Sequence, residues 1–293
     1  MSNKQDKNIK ISVWKTSQHM KSDTFEINLY RDKKFQAVPF HSHGFFELYV
    51  FLQGAGVYTV EQGDYNLEPG DIILIPPNHL HRLDILDSNI PYERIVLWIN
   101  PNYLSLFSTP QTRLDEVFYN CGKNNNYLIR DVKFSKILQK KLTALHHSDH
   151  SNKYGSDIET RIHFESLLLL LSRHLIEGEY STKPPTINKV VNQTIQYIND
   201  NIGNKLSLEE LSEHNHISKY YLARLFKDHT GTSPHQFIIK KRLSLSKTLL
   251  AQGYSIKQAC LMVGFSDYTH YFRAFKKEFD ITPKQYLDFI QSK

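Results

Sequence analysis

Cysteine is nearly absent: two occur in 293 residues, Cys121 and Cys260. Two isolated thiols exclude a disulfide framework and a cysteine zinc site, and they fit a reducing compartment. Long apolar runs are missing as well. The longest all-aliphatic stretch, Leu167 to Leu171, falls far short of the roughly 20 residues a membrane span needs. The opening MSNKQDKNIK is polar and holds no apolar signal core. These absences predict a cytoplasmic protein with no membrane partner. Charge of one sign is also missing from most of the chain. The first 187 residues carry 21 Lys+Arg and 21 Asp+Glu, whereas the part from Asn188 onward carries 15 against 9, so the whole net charge of +6 lies there. A basic surplus confined to one region suits a polyanion-binding module, because each phosphate neutralised by Lys or Arg releases counterions. A merely soluble basic surface would look the same by charge alone.

What the chain does contain divides it in two. Its length, with 40% hydrophobic and 12% aromatic residues, can fill two cores. From Glu177 to Ile187 it reads EGEYSTKPPTI, in which Gly, Ser, Thr and two prolines favour an extended segment. The expected organisation is therefore a first domain over 1–178, a linker over 179–187 and a second domain over 188–293. Between Phe25 and Ile99, short apolar runs such as FFELYVFL, GVYTV, DIILIP and RIVLWI alternate with turn residues, the pattern of a small barrel or sandwich. From Asp131 the texture becomes helical. The run SDIETRIHFESLLLLLSRHLIE is apolar around much of its circumference, which predicts burial on more than one side, in the core, at a subunit interface, or both. The fold class is α+β and multi-domain: a β-barrel followed by helices, then an all-α region.

One phrase is written twice. RLFKDHTGTSPHQF begins at Arg224 and RAFKKEFDITPKQY at Arg273. In the first copy Ser207 and Glu210 have capping-box spacing, and Leu208 and Leu211 share one helix face. HNHI breaks that helix. Ser218 then caps a second helix that buries Leu222, Leu225 and Phe226 and turns Lys219, Tyr220, Ala223, Arg224 and Lys227 outward, until Gly231 closes it. In the second copy Ile256, Ala259, Cys260 and Val263 supply the first helix, Gly264 the turn, and Ser266 or Asp267 the cap. The second helix buries Tyr271, Ala274 and Phe275 and exposes Tyr268, Thr269, Phe272, Arg273 and Lys276. Two short helices around a tight turn, with a basic and aromatic outer face on the second, form a helix-turn-helix unit that can engage double-stranded DNA. Arg forks suit guanine edges and phosphates, and small or aromatic neighbours suit thymine methyls. Between the copies, Ser233 to Gly253 carries the start and stop signals of one helix, Ser-Pro and Gly. About 20 residues at 1.5 Å rise give a rod of about 30 Å, close to the roughly 34 Å repeat of the major groove.

These repeats, with V-G-F before the second outward helix and F-K followed by [ST]-P-x-x-[FY] after each, resemble the AraC/XylS family of transcription regulators from Asn188 to about Ile290. The resemblance implies that Tyr220, Ala223, Arg224, Tyr268, Thr269, Phe272 and Arg273 face bases. It also implies an activator that works with RNA polymerase, while the helical run before the linker predicts a homodimer. Two positions depart from the family pattern. Asp280 stands where Gly is usual, which demands a left-handed Asp, and Cys260 stands where Ala is usual, a tolerable small hydrophobe.

In the first half, HSHGFFELYVFLQG and GDIILIPPNHLH place His41, His43, Glu47 and His81 at the spacing of the two cupin motifs, which this region resembles. Asn78 replaces a usual Gly, and Ile85 stands where an Asn commonly follows. Three imidazoles and a carboxylate could hold a divalent metal, as an enzyme or as a structural or sensing site. The resemblance to cupin-type sensor domains instead implies a pocket for a small effector lined by His41, His43, Glu47, Tyr49, His81 and Trp98, polar enough for a sugar or other hydroxylated metabolite. A DNA-binding adaptor with an inert barrel is the remaining alternative.

Overall fold

The computed structural model describes residues 9–10, 18, 20–35, 37–61, 63–123, 126–177 and 188–291. The apolar runs of the first half become β1 (Ile9–Lys10), β2 (Phe25–Asp32), β3 (Val38–His41), β4 (Phe46–Gln53), β5 (Gly56–Val60), β6 (Gly63–Asn66), β7 (Ile72–Ile75), β8 (His81–Ile85), β9 (Tyr92–Ile99) and β10 (Leu128–Ile129). One sheet has the order β1-β2-β9-β4-β7-β10 and the other β3-β8-β5-β6. Pairing is antiparallel except between β1 and β2. Strands β4 and β7 are buried on both faces, which is why they read as continuous apolar runs and not as alternating ones. Register brings Glu47 beside Trp98, and His41 beside His81.

Four helices follow or interrupt the sheets: α1 (Pro101–Ser105), α2 (Glu116–Lys123), α3 (Val132–Asp149) and α4 (Ser156–Glu177). Asp131 caps α3 by accepting from the Lys133 and Phe134 N–H groups. Helix α4 buries Phe164, Leu167, Leu168 and Leu171 on the barrel side, where the Phe164 ring stacks on Phe25 at 4.8 Å. The described residues of this chain cover that one side; the second side predicted from its composition is left open for another chain. Ile158, Ile162, Leu169 and Ile176 stay exposed, and at 100° per residue these four fall within about 40° of one another. The expected linker at 179–187 lies outside the described residues.

Seven helices make up the rest: α5 (Lys189–Asp200), α6 (Leu208–His214), α7 (Lys219–Thr230), α8 (Pro234–Ala251), α9 (Ile256–Met262), α10 (Tyr268–Phe279) and α11 (Pro283–Gln291). Nearly every start is marked by a side-chain cap: Ser207, Ser218, Ser233, Ser255 and Asp267 each accept from backbone N–H groups of the turn that follows. The Glu210 carboxylate, expected to turn back on Ser207, instead accepts from the Tyr197 hydroxyl at 2.8 Å. The full capping box occurs at Ser255 and Gln258. Asp280 adopts the left-handed conformation its position demands, φ 59°.

The continuous helix predicted between the repeats is α8, whose 18 residues extend about 27 Å. Its first half joins the core of α5, α6 and α7 through Phe237 and Ile238, and its second half joins the core of α9, α10 and α11 through Leu243, Leu249 and Leu250. Arg242 donates to the Ile202 and Asn204 carbonyls and crowds Gly264, whose φ of +86° and contact with the Ile202 carbonyl leave no room for a side chain.

The barrel sits on this rod. Leu80 enters the core of the first helix-turn-helix unit. Lys241 donates to Glu61 Oε1 at 2.9 Å and to the Asn78 carbonyl at 3.0 Å, while Ser244 and Thr248, one and two helical turns further on, donate to Asn78 Oδ1 at 2.7 and 3.2 Å. Asn78 has a positive φ of 66°, tolerable because Asn visits that region more readily than most residues. At the end of α7, Gly231 is left-handed at φ +71°, and a side chain there would collide with the Arg82 guanidinium of β8.

Candidate effector site and candidate DNA interface

The imidazoles and carboxylate singled out from the motifs meet inside the barrel. His43 Nδ1 lies 2.9 Å from the Phe45 carbonyl oxygen, and its Nε2 is hydrogen-bonded to Glu47 Oε2 at 2.9 Å. Trp98 donates to the same oxygen at 3.1 Å, and the Tyr58 hydroxyl reaches Glu47 Oε1 at 3.5 Å. His81 donates through Nδ1 to the His79 carbonyl at 2.9 Å, and its Nε2 is buried without a hydrogen-bond partner among the described residues. His41 contacts the Pro39 carbonyl through Nδ1, and its ring lies 4.1 Å from that of His81. Ligand atoms of His43, Glu47 and His81 lie within 4.8 Å of one another; His41, predicted as a fourth ligand, is not part of that group. Two imidazoles and one carboxylate are a donor set that first-row divalent metals accept, but here the His43–Glu47 hydrogen bond already satisfies one pair.

Burial sets the charges. His41 is pulled down to about 4 by desolvation first and by neighbouring His43 second. His81 lies well below its ordinary value through burial and through His41 and His43. Burial pulls Glu47 toward its neutral form, but the hydrogen bond and charge of His43 outweigh it and hold the carboxyl below its usual range. Tyr49, buried with them, pairs its hydroxyl with that of Tyr92 and packs its ring 5.0 Å from Tyr58. Tyr58, Tyr92 and the buried Arg94–Asp32 ion pair at 2.8 Å escaped the sequence reading, because the cross-strand register that joins them is not a local signal. Two clefts of about 550 Å³ and 390 Å³ lie outside this cluster and are lined by none of its six expected members.

On the helical side, Tyr220 is 80% exposed and the Arg224 side chain 84% exposed. Lys227, Tyr268, Thr269, Arg273 and Lys276 are exposed too, while Ala223 and Phe272 are half-buried. Lys219 is half-buried and tied to Glu209 at 2.9 Å. Tyr221 and His270 share the exposure of these faces and were missed, although their positions in the first turn after each cap could have flagged them.

Two family descriptions match the chain: "AraC-like ligand binding domain" over residues 30–168 and "Helix-turn-helix domain" over residues 211–288. The chain is 25% identical over 254 residues to the probable transcriptional regulator LumQ of Photobacterium leiognathi, covering 86% of this chain and 93% of the other. It is 23% identical over 255 residues to the HTH-type transcriptional activator RhaS of Salmonella paratyphi A, covering 85% and 87%. Among solved structures it is similar to ToxT from Vibrio cholerae O395, 15% identical, with 93% and 100% covered and a TM-score of 0.40.

The buried imidazoles make stability depend on pH. An unfolded chain takes up protons on His41 and His81 near pH 6.5, whereas the folded His41 refuses one until about 4 and His81 stays well below its ordinary value. The unfolded state therefore binds more protons across that window, and stability is lost as pH falls through about 6.5, by up to roughly 1.4 kcal/mol per pH unit for each ring. The expected result is a melting temperature that drops from pH 7 to pH 5, with a shallower slope in His41→Gln. A flat profile in the intact chain refutes this account.

Proposed function

Because the chain belongs to the AraC family of transcription regulators, with a ligand-binding domain ahead of a helix-turn-helix DNA-binding domain, we propose that it is a cytoplasmic activator controlled by a small hydroxylated metabolite, a sugar or a close relative. The effector sits among His41, His43, Glu47, Tyr49, His81 and Trp98. The observation that carries this reading is the buried Nε2 of His81. With Nδ1–H committed to a carbonyl, Nε2 is an acceptor with nothing to accept from, a shortfall that costs about 1–3 kcal/mol and that a ligand hydroxyl removes. Glu47 beside it accepts a second hydroxyl. A thermal-shift screen of sugars and polyols against the full chain tests this: a binder raises the melting temperature, and His81→Gln weakens it. Should no hydroxylated compound bind, or should binding ignore His81, the barrel assignment fails.

A divalent metal on His43, Glu47 and His81 is the second reading, supported by the closeness of their ligand atoms. Stoichiometric metal in the purified protein, removed by a chelator with loss of stability, would favour it over a metabolite. An enzymatic role has no support beyond that donor set.

On DNA, α7 and α10 enter the major groove on one side of the duplex, spaced by α8, whose length approaches one groove repeat. Lys219, Tyr220, Ala223, Arg224 and Lys227 read from the first unit, and Tyr268, Thr269, Phe272, Arg273 and Lys276 from the second. Arg273→Ala is expected to cost about 1–3 kcal/mol of specific binding and to relax preference at one position, measured by mobility shift on a selected operator at fixed salt. Equal discrimination by the variant would remove Arg273 from the base-reading set.

The exposed stripe Ile158, Ile162, Leu169 and Ile176 on α4 supports a homodimer, since its members recur at helical spacing on one face and no described residue of the chain covers them. Paired chains place two such DNA readers before a promoter, where contact with RNA polymerase produces activation. Ile162→Glu combined with Leu169→Glu is expected to leave a folded monomer in sedimentation. A dimer that persists in the double variant rules this face out.

A further inference from the structure

A cleft of about 550 Å³ opens between the barrel half and the first helix-turn-helix unit, with α2 on one wall and α5 on the other. Its chemistry is separate from that of the barrel interior. Glu61 lines it, sitting at a left-handed φ of 54° in the hairpin between β5 and β6, and is 1% exposed. One carboxylate oxygen is heavily used: Oε1 accepts from the Leu80 N–H at 2.9 Å and from Lys241 Nζ at 2.9 Å, with His79 Nδ1 3.7 Å away. The other, Oε2, is buried with no hydrogen-bond partner among the described residues. An orphaned oxygen of a buried carboxylate calls for an N–H or O–H donor, and one that carries positive charge meets it best.

The rest of the lining selects for charge. Glu116 on α2 and Asp200 at the end of α5 add two carboxylates at the exposed rim, and neither makes a side-chain ion pair among the described residues. The cation in the lining, Arg113, is engaged by Asp115 at 2.8 Å. The rings of Tyr119 and Tyr127 also line the cleft and offer faces to an ammonium. A single metal ion does not fit this pattern. Among the described residues the cluster of metal-ligating atoms lies in the barrel, and Glu61, Glu116 and Asp200 do not converge closely enough to form another. Acidic groups spread over a volume typical of small-molecule sites suit an elongated cation that reaches several of them.

We propose that this cleft is a second ligand site, for a small aliphatic di- or polyamine, with one ammonium on Glu61 Oε2 and another at the Glu116–Asp200 rim. Its occupant touches α2 of the sensing half and α5 of the DNA-binding half together, so it stabilises their present arrangement against any other. The site stands whether or not the barrel takes a hydroxylated effector.

Differential melting of the full chain with 1,4-diaminobutane tests this, with 1,4-butanediol as the uncharged isostere and Mg²⁺ as a charge control. The diamine is expected to raise the melting temperature by about 5 °C at a hundredfold excess over its Kd, and the diol and Mg²⁺ to leave it unchanged. Glu116→Gln combined with Asp200→Asn, both at exposed positions, should abolish most of that shift without loss of folding, and Glu61→Gln should abolish it as well where that variant folds. The shift should persist in the barrel variant His81→Gln. An equal response to the diol or to Mg²⁺, a full response in the rim double variant, or a response lost in His81→Gln overturns the proposal.

Discussion

A lysine ammonium and a glutamate carboxylate, both taken out of water, meet where the barrel touches the central helix. Removing two charges from solvent costs several kcal/mol per ion, and their attraction offsets this only if the remaining donors and acceptors are satisfied. Here they are met on Lys241 and on one of the two Glu61 oxygens. Lys241 also donates to the Asn78 carbonyl, and the oxygen of Glu61 that it meets also accepts from Leu80. Such a pair tolerates little sliding, so it fixes the register at which the barrel loop rests on α8. Ser244 and Thr248 repeat the grip along the same face, both on the amide oxygen of Asn78. Because α8 contributes to the cores of both helix-turn-helix units, a load applied to that one face reaches both.

The two helix-turn-helix units were legible because everything that specifies them is local. A cap is one residue, a helix face repeats every three or four, and a left-handed exit announces itself as Gly231 or, less plainly, as Asp280. The barrel was legible to the level of its strands and its inward-facing imidazoles. What joins the two halves was not. Glu61 and Lys241 stand 180 residues apart, and Lys241 is flanked by Lys240 and Arg242, so no neighbouring signal tells which of three adjacent cations meets the barrel carboxylate. Asn78 read as a departure from a motif that prefers Gly. The structure gives it a reason, since Gly would keep the backbone angle but lose the amide that Ser244 and Thr248 hold.

One apolar face stays open for a related reason. The aliphatic run of α4 carries enough apolar residues for two buried faces, and the barrel of one chain covers one of them. Periodicity tells which residues share a face but not what covers it, and the same limit hid Tyr58, Tyr92 and the Arg94–Asp32 pair, whose meeting depends on strand register.

Strand β8 is short, and adjacent residues on it point opposite ways. His81 turns inward to the imidazole cluster, while Arg82, the next residue, lies against the left-handed exit of α7. One peptide unit thus separates the imidazole cluster from the tail of the helix proposed to read DNA. A displacement of β8 moves both side chains together, and the absent side chain at Gly231 is what lets the Arg82 guanidinium stand against α7.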